Sequence, residues 1–280
     1  MEGAGQRSGK IAIAGRHAGL SQSLGQGETG MNTAQGKKQV VEMSPRSLAR
    51  MAGVFEALEG LTSAFGQVVV LGRLVVFSSA AATAANVMGH QRLFWLGFAS
   101  SLAGVACHIV WTLLFYDLFK PVNRRLSLLA AFVGLVVCAV QAVTSLLYLA
   151  PLLVLRGGNS FGAFTPDQLQ ALALVFFKLN AYAFDIDLVF FGLWCVLTGY
   201  LIFRSTFLPR ILGILLTIDG LGWMTYVVPP LAVHLFPAIA AASALAEIPL
   251  QLWLLVIGVN AQRWKEQANA AGHDIVQIAH

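Results

Sequence analysis

Four carboxylates, Glu56, Glu59, Asp219 and Glu247, stand inside long apolar runs of this 280-residue chain. An ionisable group at the centre of a membrane helix costs about 2.5 to 3.5 kcal/mol on insertion scales, so each is a candidate for binding or moving a proton or a small solute. His108 is the one histidine well inside such a run, and an imidazole exchanges its proton near neutral pH. Polar groups recur around these residues at helical spacing: Glu56, Glu59, Ser63 and Gln67; Ser101, His108 and Thr112; Gln141, Thr144, Ser145 and Tyr148; Asp219, Trp223 and Tyr226; Ser243, Glu247 and Gln251. Each stripe is expected to face protein rather than lipid. Hydroxyls and amides in such stripes read first as hydrogen-bond partners between helices. For the carboxylates function weighs equally, because uncharged groups would make the same bonds at lower cost.

The candidate cavity set is therefore Glu56, Glu59, His108, Gln141, Asp185, Asp219, Glu247 and Gln251. Lys178, Tyr182 and Asp185 share one helical face and Asp187 takes the opposite one, with Lys178 and Asp185 read first as an anchor near the interface. Glu56, Glu59 and Glu247 are expected to approach one another in the bundle interior. Three like charges in a site of low dielectric cannot all be ionised, so at least one holds a proton at neutral pH.

Enzymatic chemistry finds little support. A zinc hydrolase needs about three converging ligands, whereas His90 and His234 sit at the ends of apolar runs and leave His108 alone. There is no H-E-x-x-H, no G-x-S-x-G and no glycine-rich phosphate loop. Cys107, Cys138 and Cys195 lie in apolar runs without a C-x-x-C pair, which suits small packing residues. No catalytic residue, metal or cofactor is expected.

The elements that position these groups follow from composition. The chain is 57% hydrophobic and 11% charged with a mean hydropathy of +0.72, where soluble domains carry about a quarter of their residues charged. An all-α integral membrane bundle of six spans is the result. Spans are expected at Leu48 to Gly72, Leu93 to Phe119, Arg125 to Leu155, Phe184 to Phe203, Leu208 to Val228 and Val233 to Val259. Ser79 caps a short surface helix, AAATAANVMG, which cannot cross a bilayer. Thr165-Pro166-Asp167-Gln168 reads as a capping box, so the fourth helix starts well before its membrane part and carries an extended outer segment.

Charge sets the orientation. Of the 18 Lys and Arg, all but Arg73, Arg92, Arg156 and Lys178 fall on the side of the N-terminus, which places both termini in the cytosol. The net charge of +5 marks topology rather than nucleic-acid binding, since the cations are not gathered on one face with aromatics. Residues 1–44 read as a disordered cytosolic tail, 45–262 as the membrane domain and 263–280 as a cytosolic C-terminal tail. Met31 and Met43 both precede the first span and are alternative starts.

The runs RLFWLGFASSL, LFKPVNRRLSLLAAF, PDQLQALAL, LVFFGLWCVLTGYLIFRSTFLPRILGILL and EIPLQLWLLVIGVN resemble the membrane family called domain of unknown function 4386. The likeness runs from about Ala49 to Asn260, with FFGL, GYLIFRS and LPRILG in the family's order and spacing. It implies a multi-span protein of a bacterial inner membrane and no activity. By the same resemblance His108 stands where an acidic residue is frequent, and Asp219 is unusual.

Three readings follow. The leading one is a non-enzymatic bundle whose polar stripes meet in a cavity for a small solute or protons. The second is an assembly protein without a ligand, whose outer segment docks a partner. The third, an intramembrane enzyme on a lipid-like substrate, lacks its nucleophile or metal set. The lipid bilayer is the one expected partner.

Overall fold

The computed structural model describes residues 43–157 and 161–278, and the expected tail before residue 43 lies outside them. The described residues are helical and contain no strand. Six helices are long and apolar enough to span a bilayer: α1 (Pro45–Leu74), α3 (Gln91–Phe119), α4 (Arg124–Arg156), α5 (Pro166–Arg204), α6 (Arg210–Val227) and α7 (Pro229–Ile257). Two more, α2 (Ala80–Gly89) and α8 (Ala261–Ile278), are not spans.

Local chemistry sets the boundaries. The amide of Ser47 donates to Ser44 Oγ, that of Ala82 to Ser79 Oγ and that of Leu126 to Asn123 Oδ1, each meeting an orphan donor of a first helical turn. At α5 the capping box is complete: Gln168 N donates to Thr165 Oγ1 and Thr165 N donates to Gln168 Oε1. Gly157 and Gly258, with φ of 61° and 72°, end α4 and α7 in a conformation that favours glycine. Two stretches widen to π-helix, Ala64–Val70 in α1 and Trp253–Ile257 in α7.

Each span packs on the next, and α7 packs back on α1, so the succession of neighbours closes on itself. Small residues let the helices meet. Across α5 and α6, a Cβ at Gly192 would lie 2.6 Å from Gly220 O and one at Gly199 2.7 Å from Gly213 O, so the two backbones touch. Between α1 and α3, a Cβ at Gly66 would lie 2.7 Å from Gly97 O, and one at Gly104 2.7 Å from Ser63 Oγ.

Apolar side chains such as Leu61, Val68, Leu113, Leu146, Val233 and Val256 point outward and are exposed, the surface a bilayer would cover. Helix α5 has 39 residues, about 58 Å at 1.5 Å per residue and nearly twice a hydrocarbon core. Its first half is held by protein: Asn180 Nδ2 donates to Thr144 O, and Phe177 packs with Val87, Phe94 and Tyr148. Helix α2 leans on this segment, its Thr83 hydroxyl bonded to the amide and carbonyl of Val76. At the opposite end, where α1 begins and α7 gives way to α8, Trp264 of α8 donates to Leu118 O and Gln267 accepts from Thr206.

Candidate functional site

The acid pair of α1 comes first. Glu56 and Glu59 lie three residues apart and so share a face, which α1 turns toward the middle of the bundle. Glu59 Oε1 gathers three groups: Ser63 Oγ at 3.1 Å, Gln141 Nε2 at 3.3 Å and His108 Nδ1 at 3.6 Å. The amide of Gln141 also reaches Asp187 Oδ2 at 3.3 Å, so one side chain of α4 bridges carboxylates of α1 and α5. His108 is 1% exposed, and neither ring nitrogen has a hydrogen bond among the described residues. Its imidazole lies against Trp111, with ring centroids 4.5 Å apart.

A second group adjoins the first through Glu56. Asp219 of α6 is fully buried, with Glu247, Cys195 and Ser243 around it and no hydrogen bond of normal geometry to either oxygen. Glu247 Oε1 of α7 accepts from Ser243 Oγ at 2.8 Å. Glu56 is 8% exposed, within electrostatic reach of both Glu247 and Glu59, and its Oε2 has no hydrogen-bond partner among the described residues. All six spans therefore send an ionisable or amide side chain into one layer: Glu56 and Glu59, His108, Gln141, Asp187, Asp219 and Glu247.

The two boundaries of this layer differ. Toward the end where α1 begins stands an aromatic column. Trp111 and Trp194 meet edge to face at 4.3 Å, Phe115 packs on Trp194 at 5.2 Å, and Phe119 stacks on Phe207 at 6.0 Å. Toward the other end a cavity of about 20 Å³ is lined by Ser63, Gln67, Ser101, Gln141, Thr144 and Ser145. That volume admits about one water-sized molecule. One helical turn beyond this lining, Tyr148 packs with Phe94 and Phe98 as an aromatic cap, and Tyr148 O–H reaches Gly66 O at 3.5 Å.

Of the residues singled out in the sequence, Glu56, Glu59, His108, Gln141, Asp219 and Glu247 come together. Gln251 is half-buried one turn beyond Glu247 and makes no hydrogen bond among the described residues. Asp185 is turned away from the layer, and no ion pair joins it to the exposed Lys178. Asp187 takes the inner position instead. Two residues on a helix differ by about 200°, so only one of the two aspartates can face inward. The deciding signal was the seven-residue spacing of Ala173, Asn180, Asp187, Trp194 and Leu201, all of them buried. Despite its five carboxylates and one imidazole, the layer holds no group of three or more His, Cys, Asp or Glu placed to bind a metal ion, among the described residues.

No curated protein and no solved structure shows significant similarity to the chain. The family model described as Domain of unknown function (DUF4386) matches residues 51–258, which takes in every member of the buried layer, and the chain belongs to that family.

Proposed function

We propose that the buried layer binds protons and a small cation and exchanges one for the other across the bilayer. One observation carries the reading: every span contributes a polar side chain to the same buried layer, and the charges do not balance. Five buried or half-buried carboxylates, Glu56, Glu59, Asp187, Asp219 and Glu247, stand with one imidazole, which lies 3.6 Å from Glu59, and with no Lys or Arg among them. Carboxylates so placed cannot all be ionised unless a cation joins them, so binding a cation and releasing a proton become linked events. Mere hydrogen-bond glue would not need five acids, since hydroxyls and amides serve that purpose without the insertion cost. His108, with Nδ1 3.6 Å from Glu59 Oε1 and no hydrogen bond at either nitrogen among the described residues, is the proton partner.

The test uses the full chain in liposomes with a pH-sensitive dye inside and an imposed pH gradient. Potassium, methylammonium or choline chloride is added outside. Proton movement on adding at least one of these cations, lost in Glu59→Gln and Asp219→Asn proteins that still fold, is expected. Wild-type liposomes that respond to none of them would remove the exchange reading and put assembly first.

The membrane in this proposal is a bacterial inner membrane with both termini cytosolic, supported by the distribution of Lys and Arg. A reporter active only after export, fused behind His280, should stay silent. An active fusion would reverse the orientation.

A further inference from the structure

A second site lies apart from the buried layer. Asp185 opens into a groove of about 320 Å³ between α5 and the junction of α6 with α7. Tyr182, Phe190, Tyr226 and Pro229 form its walls. Among the described residues the ion pairs are His108 with Glu59 and Lys120 with Asp117, so Asp185 has no cationic partner in the fold. Its carboxylate is half-buried within a span.

We propose that this groove binds an organic ammonium group. A carboxylate held inside an apolar helix without a partner is costly, and a bound cation offsets the cost. Aromatic rings favour the same charge, because the ring face is negative and attracts an ammonium most strongly where water is scarce. Three aromatic rings and one carboxylate are what a methylated or alkylated ammonium needs. A divalent metal ion is not served, since calcium and magnesium take six or more oxygen ligands and the walls offer a single carboxylate. Anions are excluded by the lack of any Lys or Arg in the walls. The volume sits at the small end of ligand pockets, which suits a head of a few heavy atoms.

The groove goes beyond the exchange reading and stands without it. A link between them exists all the same: Tyr226 lies 5.9 Å from Trp223, and Trp223 adjoins Glu247. The ammonium can belong to a free amine or to a phospholipid headgroup, since the groove is also open on the side of the exposed Ile186 and Val227.

The test separates charge from shape and free amine from lipid. The full chain in nanodiscs of phosphatidylglycerol alone is titrated calorimetrically with choline and with its neutral isostere, 3,3-dimethylbutanol. Choline should bind wild type about tenfold more tightly than the isostere, and Asp185→Asn should erase that difference. Tyr226→Leu should weaken choline alone. In parallel, protein taken from discs with added phosphatidylcholine is weighed by native mass spectrometry. Retention of that lipid by wild type and not by Asp185→Asn identifies the headgroup as the source; choline binding without lipid retention identifies a free amine. Equal binding of the isostere, no binding of either form, or an unchanged affinity in a folded Asp185→Asn protein overturns the proposal. None of these readouts depends on proton movement through Glu59 or Asp219, so failure here leaves the exchange reading standing, and the reverse.

Discussion

The two boundaries of the buried layer are built from opposite materials. On the side where α1 begins and α8 packs, Trp111, Trp194, Phe115, Phe119 and Phe207 fill the space with rings. On the other side, hydroxyls and amides from α1, α3 and α4 line a small cavity, with Tyr148 and Phe94 packed together one helical turn beyond. A ring column excludes water and is rigid, because large rings in close contact have few alternative packings. A hydroxyl-lined cavity can pass a proton or a water-sized molecule with small side-chain rotations. The structure is therefore asymmetric about this layer in its materials, with rings toward the end where α1 begins and hydroxyls and amides toward the other.

Breaking the heavy side should have the largest effect. Trp194 is 2% exposed and touches Trp111, Phe115 and Phe191. Truncating a buried tryptophan to alanine costs about 3 to 5 kcal/mol. Trp194→Ala should lower the unfolding midpoint in mixed micelles accordingly, and liposomes that hold the surviving protein should leak protons without any added cation. A destabilised protein whose liposomes stay tight would mean that the column supports the fold but does not seal the layer.

How far this asymmetry was legible in the sequence depended on range. Caps are written in adjacent residues, so Ser79, Asn123 and the Thr165–Gln168 box gave helix starts that the structure reproduces. Span number followed from apolar length and the outer part of α5 from its cap. Which face of a helix looks inward is a matter of its neighbours. For α1, α3, α6 and α7 one polar stripe per helix left a single choice, whereas α5 offered Asp185 and Asp187 on opposite faces, and the buried seven-residue spacing through Asn180 and Trp194 was the weaker-looking cue. The π-helical turns at Ala64–Val70 and Trp253–Ile257 had no signature in residue type.

The lighter side should respond more mildly. At Gly97 an added Cβ would fall on the Tyr148 hydroxyl and within 2.8 Å of Val70 Cγ1, at the cap above the cavity. Overpacking of this kind costs typically about 1 to 3 kcal/mol, so Gly97→Ala should destabilise by that amount. Gly60, also on α1's side of the bundle, meets nothing within 4 Å. Gly60→Ala should be neutral or stabilising by up to about 1 kcal/mol, through helix propensity alone. Equal losses at both positions, measured by thermal unfolding in one detergent, would show that the cap is no tighter than the lipid-facing surface.

The smallest change in stability should give the sharpest view of the asymmetry. Ser63 donates to Glu59 Oε1 from four residues along the same helix and lines the cavity on the lighter side. A single hydrogen bond of this sort contributes about 1 kcal/mol, and Gln141 and His108 remain beside Glu59 when the hydroxyl is removed. Ser63→Ala should therefore unfold within about 1 kcal/mol of wild type. Proton movement is another matter, because the hydroxyl, unlike the Gln141 amide that also joins the layer to the cavity, can both accept and donate a proton. If protons reach Glu59 from that side, Ser63→Ala slows the cation-driven dye response while Ser63→Thr, which keeps a hydroxyl, restores it. Ser243→Ala serves as the comparison: it removes the equivalent donor from Glu247, at 2.8 Å, but Ser243 does not line that cavity. A slowed response in both alanine variants would mean that each hydroxyl acts only by setting its carboxylate's charge. A response slowed by Ser63→Ala alone would place the proton path on the side of the hydroxyl-lined cavity.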